Sequence, residues 1–156
     1  SLPAGSPPAE RPQASEETLA AGRALGIAPL VVDRALHATY LDEIGETEPL
    51  YRAESVVHPG QILRLANFAL VQNVALGPWI HVGSTIRFHS VARVGEELTL
   101  RSRIVSNTVN KGHAVVEFDA IVVADGARVI AGIHHAAIWR PRQVAEAEAE
   151  AASGSG

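Results

Sequence analysis

HPGQILRLANFALVQNVAL, His58 to Leu76, is the stretch whose reading decides the fold. Ile62, Leu63, Leu65, Ala66, Ala69 and Leu70 cover most of a helical circumference, and Gln61, Arg64, Asn67 and Gln72 leave a narrow polar stripe. A helix this apolar is expected to be buried on most sides. Gly77-Pro78 is expected to stop it.

Beyond that stop the apolar period changes from helical to two. Four strands are expected, at Trp79–Val91, Leu98–Asn107, His113–Ala124 and Arg128–Arg140. Val94-Gly95-Glu96-Glu97, Asn110-Lys111-Gly112 and Asp125-Gly126 read as the turns between them. Upstream, Ser15 with Glu16 and Glu17 reads as the capped start of a short helix running to Leu25. A second short helix is expected over Val31–Ile44 with Gly45 as its stop. Glu46–Val57 reads mostly as loop, with room for a short strand. A nearly all-round apolar helix followed by an antiparallel meander points to an α+β hot-dog fold, a long central helix wrapped by a curled antiparallel sheet. An open two-layer α+β sandwich is the alternative, because periodicity does not measure curvature.

The chain has 156 residues, enough for one domain with its own core. Expected boundaries are a flexible Pro/Ala-rich arm over 1–14, the domain over 15–142, and a frayed or disordered tail over 143–156. Starting at Ser1 and lacking methionine, the chain is expected to be trimmed or cut from a longer product. Apolar residues make up 47%, charged residues 19% and aromatics 4%, with a net charge of -4. So few aromatics and no basic block argue against a nucleic-acid partner. No apolar run approaches the roughly 20 residues that span a bilayer, so no membrane role and a cytoplasmic location are expected. The absence of cysteine excludes disulfides, thiolate metal sites and Cys nucleophiles. His134 and His135 are sequential in a strand and point to opposite faces, so no metal site is expected.

Three further stretches carry a family resemblance. GETEPLY, Gly45 to Tyr51, is similar to a GDxNPLH loop. VHPG, Val57 to Gly60, stands where an HG pair opens the central helix. FHSVARVGEEL, Phe88 to Leu98, is similar to an F-x-x-P-V-x-x-G-D-x-L strand and turn. Together they resemble the MaoC-like (R)-specific enoyl-thioester hydratases and dehydratases, over roughly Val31 to Arg142. The resemblance implies a hot-dog fold, an acyl-CoA or acyl carrier protein thioester as substrate, and no separate cofactor. It also implies at least a homodimer, or pairing with a second hot-dog subunit.

In that family the loop supplies a catalytic Asp and a catalytic His, and the helix-start amide meets the thioester oxygen. Unpaired N–H groups and partial positive charge at a helix start suit a developing enolate. Here the Asp position falls on Glu46 and the His position on Tyr51. A phenol, with a pKa near 10, is rarely a base at pH 7. His58 is the residue expected to replace the lost imidazole. Glu46, Tyr51 and His58 are therefore the catalytic candidates, Gly60 and Gln61 the thioester-binding ones. Arg64 and Asn67, on the helix stripe, are channel candidates. The bland readings are an acidic surface loop for Glu46, a packing role for Tyr51, and a helix-capping role for His58. Arg87, Arg101 and Arg103 suit either a coenzyme phosphate or a solvated sheet face. Three functions follow: hydration or dehydration of enoyl thioesters, acyl-thioester hydrolysis, or a non-catalytic subunit beside an active hot-dog partner.

Overall fold

In the computed structural model, which describes residues 1–154, the central helix is α3, Pro59–Val71. Proline sits at its first position and His58 is its N-cap, the Nδ1 atom accepting the Gly60 N–H. The helix ends five residues before the expected Leu76. Asn73 is the reason: its amide donates to the carbonyls of Ala69 and Gly26, 2.7 and 2.5 Å away. Ala75 is then drawn into a bridge with Gln13.

The four expected strands are present as β2 (Ile80–Phe88), β3 (Glu97–Asn110), β4 (His113–Ala124) and β5 (Arg128–Arg140). A two-residue strand, β1 (Leu30–Val31), pairs with β3. The sheet is antiparallel in the order β1-β3-β4-β5-β2. Lys111 and Gly112 both take positive φ, as the tight β3–β4 hairpin requires. Alternation along β4 and β5 puts Val116, Phe118, Ile133 and Ala137 on the face that meets α3, and Ile130 joins them at the irregularity opposite Val122–Val123. Ile62, Leu65, Ala66, Ala69 and Leu70 fill the curl and are fully buried. The large side chains each stabilise the fold by about 1.5–3 kcal/mol relative to exposure. This is the hot-dog arrangement. One side of α3 stays open: Arg64 is exposed, and Leu63, Asn67 and Phe68 are half-buried.

Upstream, α1 (Arg34–Ile44) begins three residues later than expected. Asp33 caps it through the Leu36 N–H, and Leu30–Val31 is committed to β3. Gly45 stops it in the left-handed region, φ 69°. Within the segment read as loop lies a short helix, α2 (Pro49–Ala53), and Val56 bridges to Arg93. The helix expected over Ser15–Leu25 is a single turn. Ser15 does cap it, accepting the Thr18 N–H, but the backbone then goes to β3. Gly22 donates to Ile104, and the Ser102 hydroxyl holds both the N–H and the carbonyl of Leu25. The arm 1–14 lies against the body through the Ala4–Arg101 and Gln13–Ala75 bridges. Part of the expected tail forms α4 (Arg142–Ser153), docked by a hydrogen bond from Arg142 N–H to His113 Nδ1. Ser155 and Gly156, the rest of that tail, lie outside the described residues. Among the described residues no helix is long and apolar enough to cross a membrane.

Candidate active site

The site forms where the turn after α1 meets the start of α3. Gly45 turns the chain so that Glu46 follows immediately, and Val57 N–H bonds to the Ala92 carbonyl, fixing the approach to His58. Glu46 Oε1 accepts the Glu48 N–H at 2.8 Å. Its Oε2 lies 3.2 Å from His58 Nε2. Since Gly60 N–H donates to His58 Nδ1 at 3.0 Å, Nδ1 is the acceptor and Nε2 carries the proton toward Glu46. The Glu48 N–H, helped by His58, holds the Glu46 carboxyl below its usual range against partial desolvation. Glu46 is thus an ionised carboxylate oriented by two donors.

Two phenol rings flank the imidazole. Tyr51 of α2 lies 4.7 Å from it between centroids, and Tyr40 of α1 lies 5.6 Å away. Gly60 makes this packing feasible, because a Cβ there would meet Tyr40 Oη at 2.1 Å. Tyr51, Pro59 and Ile62 line one side of an apolar cavity of about 370 Å³. Phe88, His89 and Val91 are on the other.

The structure therefore brings together Glu46, Tyr51, His58 and Gly60. Among the described residues buried Gln61 finds no partner for its Oε1, nor does Asn67 for its buried Oδ1. Arg64 extends outward over the Phe68 ring, 5.3 Å from its centroid. None of these three lines the cavity, and neither do Glu46, His58 or Gly60; the Glu46–His58 pair sits next to it, reached through Pro59 and the Tyr51 ring. The Gly60 N–H is engaged by His58, and the Gln61 N–H by the His58 carbonyl, so neither points freely at a ligand. Arg87, Arg101 and Arg103 are exposed and also outside the cavity. Tyr40 was missed as a site residue. Its approach to Gly60 depends on how α1 crosses α3.

Elsewhere, His134 bonds to Asp119 and Glu117 on the exposed sheet face, and Asp119 chiefly raises its pKa. His135 is fully buried against Phe118, with Nδ1 2.6 Å from Ser84 Oγ; burial lowers its pKa to about 4. Among the described residues no three His, Asp, Glu or Cys side chains converge as a metal site.

No protein-family description and no curated protein matches the chain. Solved structures do. An (R)-hydratase from A. caviae involved in PHA biosynthesis superposes with a TM-score of 0.64 at 16% identity, over 76% of this chain and 96% of that one. A MaoC-like dehydratase from Rhodospirillum rubrum gives 0.61 at 17%, over 80% and 96%. The C-terminally truncated HadBC (3R-hydroxyacyl-ACP dehydratase) complex from Mycobacterium tuberculosis gives 0.63 at 15%, over 75% and 95%. The chain has the hot-dog fold of these MaoC-like dehydratases and (R)-hydratases.

Proposed function

We propose that this hot-dog chain binds acyl or enoyl thioesters in the cavity beside α3 and hydrates or dehydrates them with Glu46 and His58. The observation that carries the reading is the carboxylate–imidazole pair at the start of a buried helix, beside an apolar cavity walled by Tyr51. It supplies the imidazole that Tyr51 cannot, from a different position in the sequence.

In hydration, the oxygen of water bonds to C3 of the enoyl thioester and its proton passes to the pair. C2 receives a proton in turn, so the double bond becomes a single bond with a hydroxyl at C3. Ionised Glu46 orients the water, and His58 moves the proton. In the ligand-free arrangement His58 holds the Gly60 N–H. A turn of the imidazole toward substrate frees that amide for the thioester oxygen, where enolate charge develops. Coenzyme A or acyl carrier protein is the expected carrier, with no separate cofactor.

Among the described residues strand β2 pairs on one side only, with β5, and exposes Ile80, Val82 and Phe88. An open apolar edge of this kind suits pairing with a second hot-dog chain, the same or different. HadBC is itself a complex.

Crotonyl and longer enoyl thioesters, offered at millimolar concentration with product analysis, test the reading. Formation of the 3-hydroxyacyl thioester is expected. Release of free thiol without that product would assign hydrolysis instead, and neither binding nor turnover would sink the proposal.

A further inference from the structure

A second cavity, of about 190 Å³, lies behind Tyr51, between α1 and α2. Arg34, His37, Ala38 and Leu41 recur at helical spacing and turn one face of α1 toward it. Arg52 and Ser55 close it from the α2 side, and no Asp or Glu lines it. Arg34 is at the first position of α1, where a cation opposes the helix dipole, and it has no ion-pair partner among the described residues. Arg52 gives one nitrogen to Asp42 at 2.6 Å. His37 is buried, and its Nε2 has no hydrogen-bond partner among the described residues. Burial lowers the His37 pKa, and the neighbouring His58 and Arg52 lower it further. Two exposed guanidiniums, one of them without a carboxylate partner among the described residues, face a space that no carboxylate lines, which favours an anion there.

We propose that this cavity is an oxyanion subsite, which takes a phosphate or carboxylate group carried by the thioester ligand. Guanidinium forks match both groups. The space equals about six water molecules at about 30 Å³ each, enough for one oxyanion but not for a nucleotide base as well. Tyr51 lines both cavities, so the anion would sit one side chain from His58. Oxyanion binding stands on this cavity alone; its assignment to a thioester rests on the function proposed above.

Inorganic phosphate and succinate are the first probes, titrated separately into the ¹⁵N-labelled full chain. Saturable shifts are expected at amides of Arg34–Ala38 and Tyr51–Ser55. Arg34→Ala should weaken binding by about tenfold or more, and Arg34→Lys by less. No saturable shift with either anion, or unchanged affinity in Arg34→Ala, would overturn the subsite. Two ligand pairs then separate the sources. If Arg34 discriminates coenzyme A from its 3′-dephospho form, the anion is the carrier's phosphate. If it discriminates fumaryl from crotonyl thioester, the anion is the acyl carboxylate. Discrimination of neither pair overturns the link to thioesters. Binding of phosphate or succinate without any thioester binding would refute the proposed function and leave the subsite standing.

Discussion

Replacing Gly60 with alanine would put a methyl 2.1 Å from Tyr40 Oη, 3.3 Å from Tyr40 Cζ and 3.1 Å from His58 Nδ1. At a site with free space, Gly→Ala in a helix stabilises by about 0.4–1 kcal/mol. Here the tyrosine has to move, and overpacking of this kind costs about 1–3 kcal/mol. If His58 is pushed aside instead, its N-cap bond is lost, at about 1 kcal/mol. With the generic gain subtracted from the overpacking cost, the net expectation for Gly60→Ala is a loss of about 1–2 kcal/mol, the opposite sign to the generic effect. Tyr40→Phe removes the closest atom and leaves Cζ at 3.3 Å. The described hydrogen bonds do not use Tyr40 Oη, so that change alone should cost little. The pair should therefore show a coupling of about 1–2 kcal/mol in Tyr40→Phe/Gly60→Ala. Urea unfolding of the four proteins measures it. Unchanged or raised stability in Gly60→Ala, or no rescue by Tyr40→Phe, would refute the packing derived for the start of α3.

Three other outcomes are expected. The His135 pKa of about 4 lies below the ordinary 6.5, so the unfolded chain binds its proton first as pH falls. Stability should be intact above about pH 6.5 and fall by about 3 kcal/mol between there and pH 4. His134, with its raised pKa, acts in the opposite sense but is half-exposed and offsets little. Denaturant titrations across that range check this, and a flat profile would contradict the burial of a neutral His135. Leu65→Ala, at a fully buried position of α3, should cost about 2–5 kcal/mol in the same assay; a loss under 1 kcal/mol would mean that the helix is not enclosed. Val82→Lys tests the proposed pairing through the open edge of β2: light scattering should show an oligomer for the parent chain and one chain for the variant, whereas a monomeric parent or an unchanged oligomer would refute that pairing.

The fold was legible because its strongest signals are local. His113–Ala124 and Arg128–Arg140 alternate over most of their length and are bounded by Asn110–Gly112, Asp125–Gly126 and Pro141, and both strands fall where those boundaries put them. The errors lie where distant contacts take over the backbone. Ser15 is a genuine cap, but Ser102 and Ile104 of β3 capture the chain within one turn. The end of α3 is set by Asn73 reaching Gly26, 47 residues away in sequence. At the site, the resemblance of GETEPLY and VHPG to the family motifs named Glu46, Tyr51, His58 and Gly60 as candidates, and the fold places them beside one another. The helix-capping role read for His58 is the one seen, its Nδ1 accepting the Gly60 N–H, whereas its contact with Glu46 exists only once a separate loop has packed against it. Tyr40 and the Arg34–Arg52 cavity were illegible for a related reason: each exists only once α1 has packed across the others.

The central claim is that Glu46 and His58 together handle a thioester. The most direct test is the hydration rate of one enoyl thioester by the wild-type chain, Glu46→Gln and His58→Gln, in a single buffer at pH 7. General acid–base groups typically contribute 10²–10⁴-fold. Each single variant should lose about that much, with the fold retained. Because the two act as a unit, Glu46→Gln/His58→Gln should lose little more than either alone. Full wild-type turnover in either single variant would contradict the account.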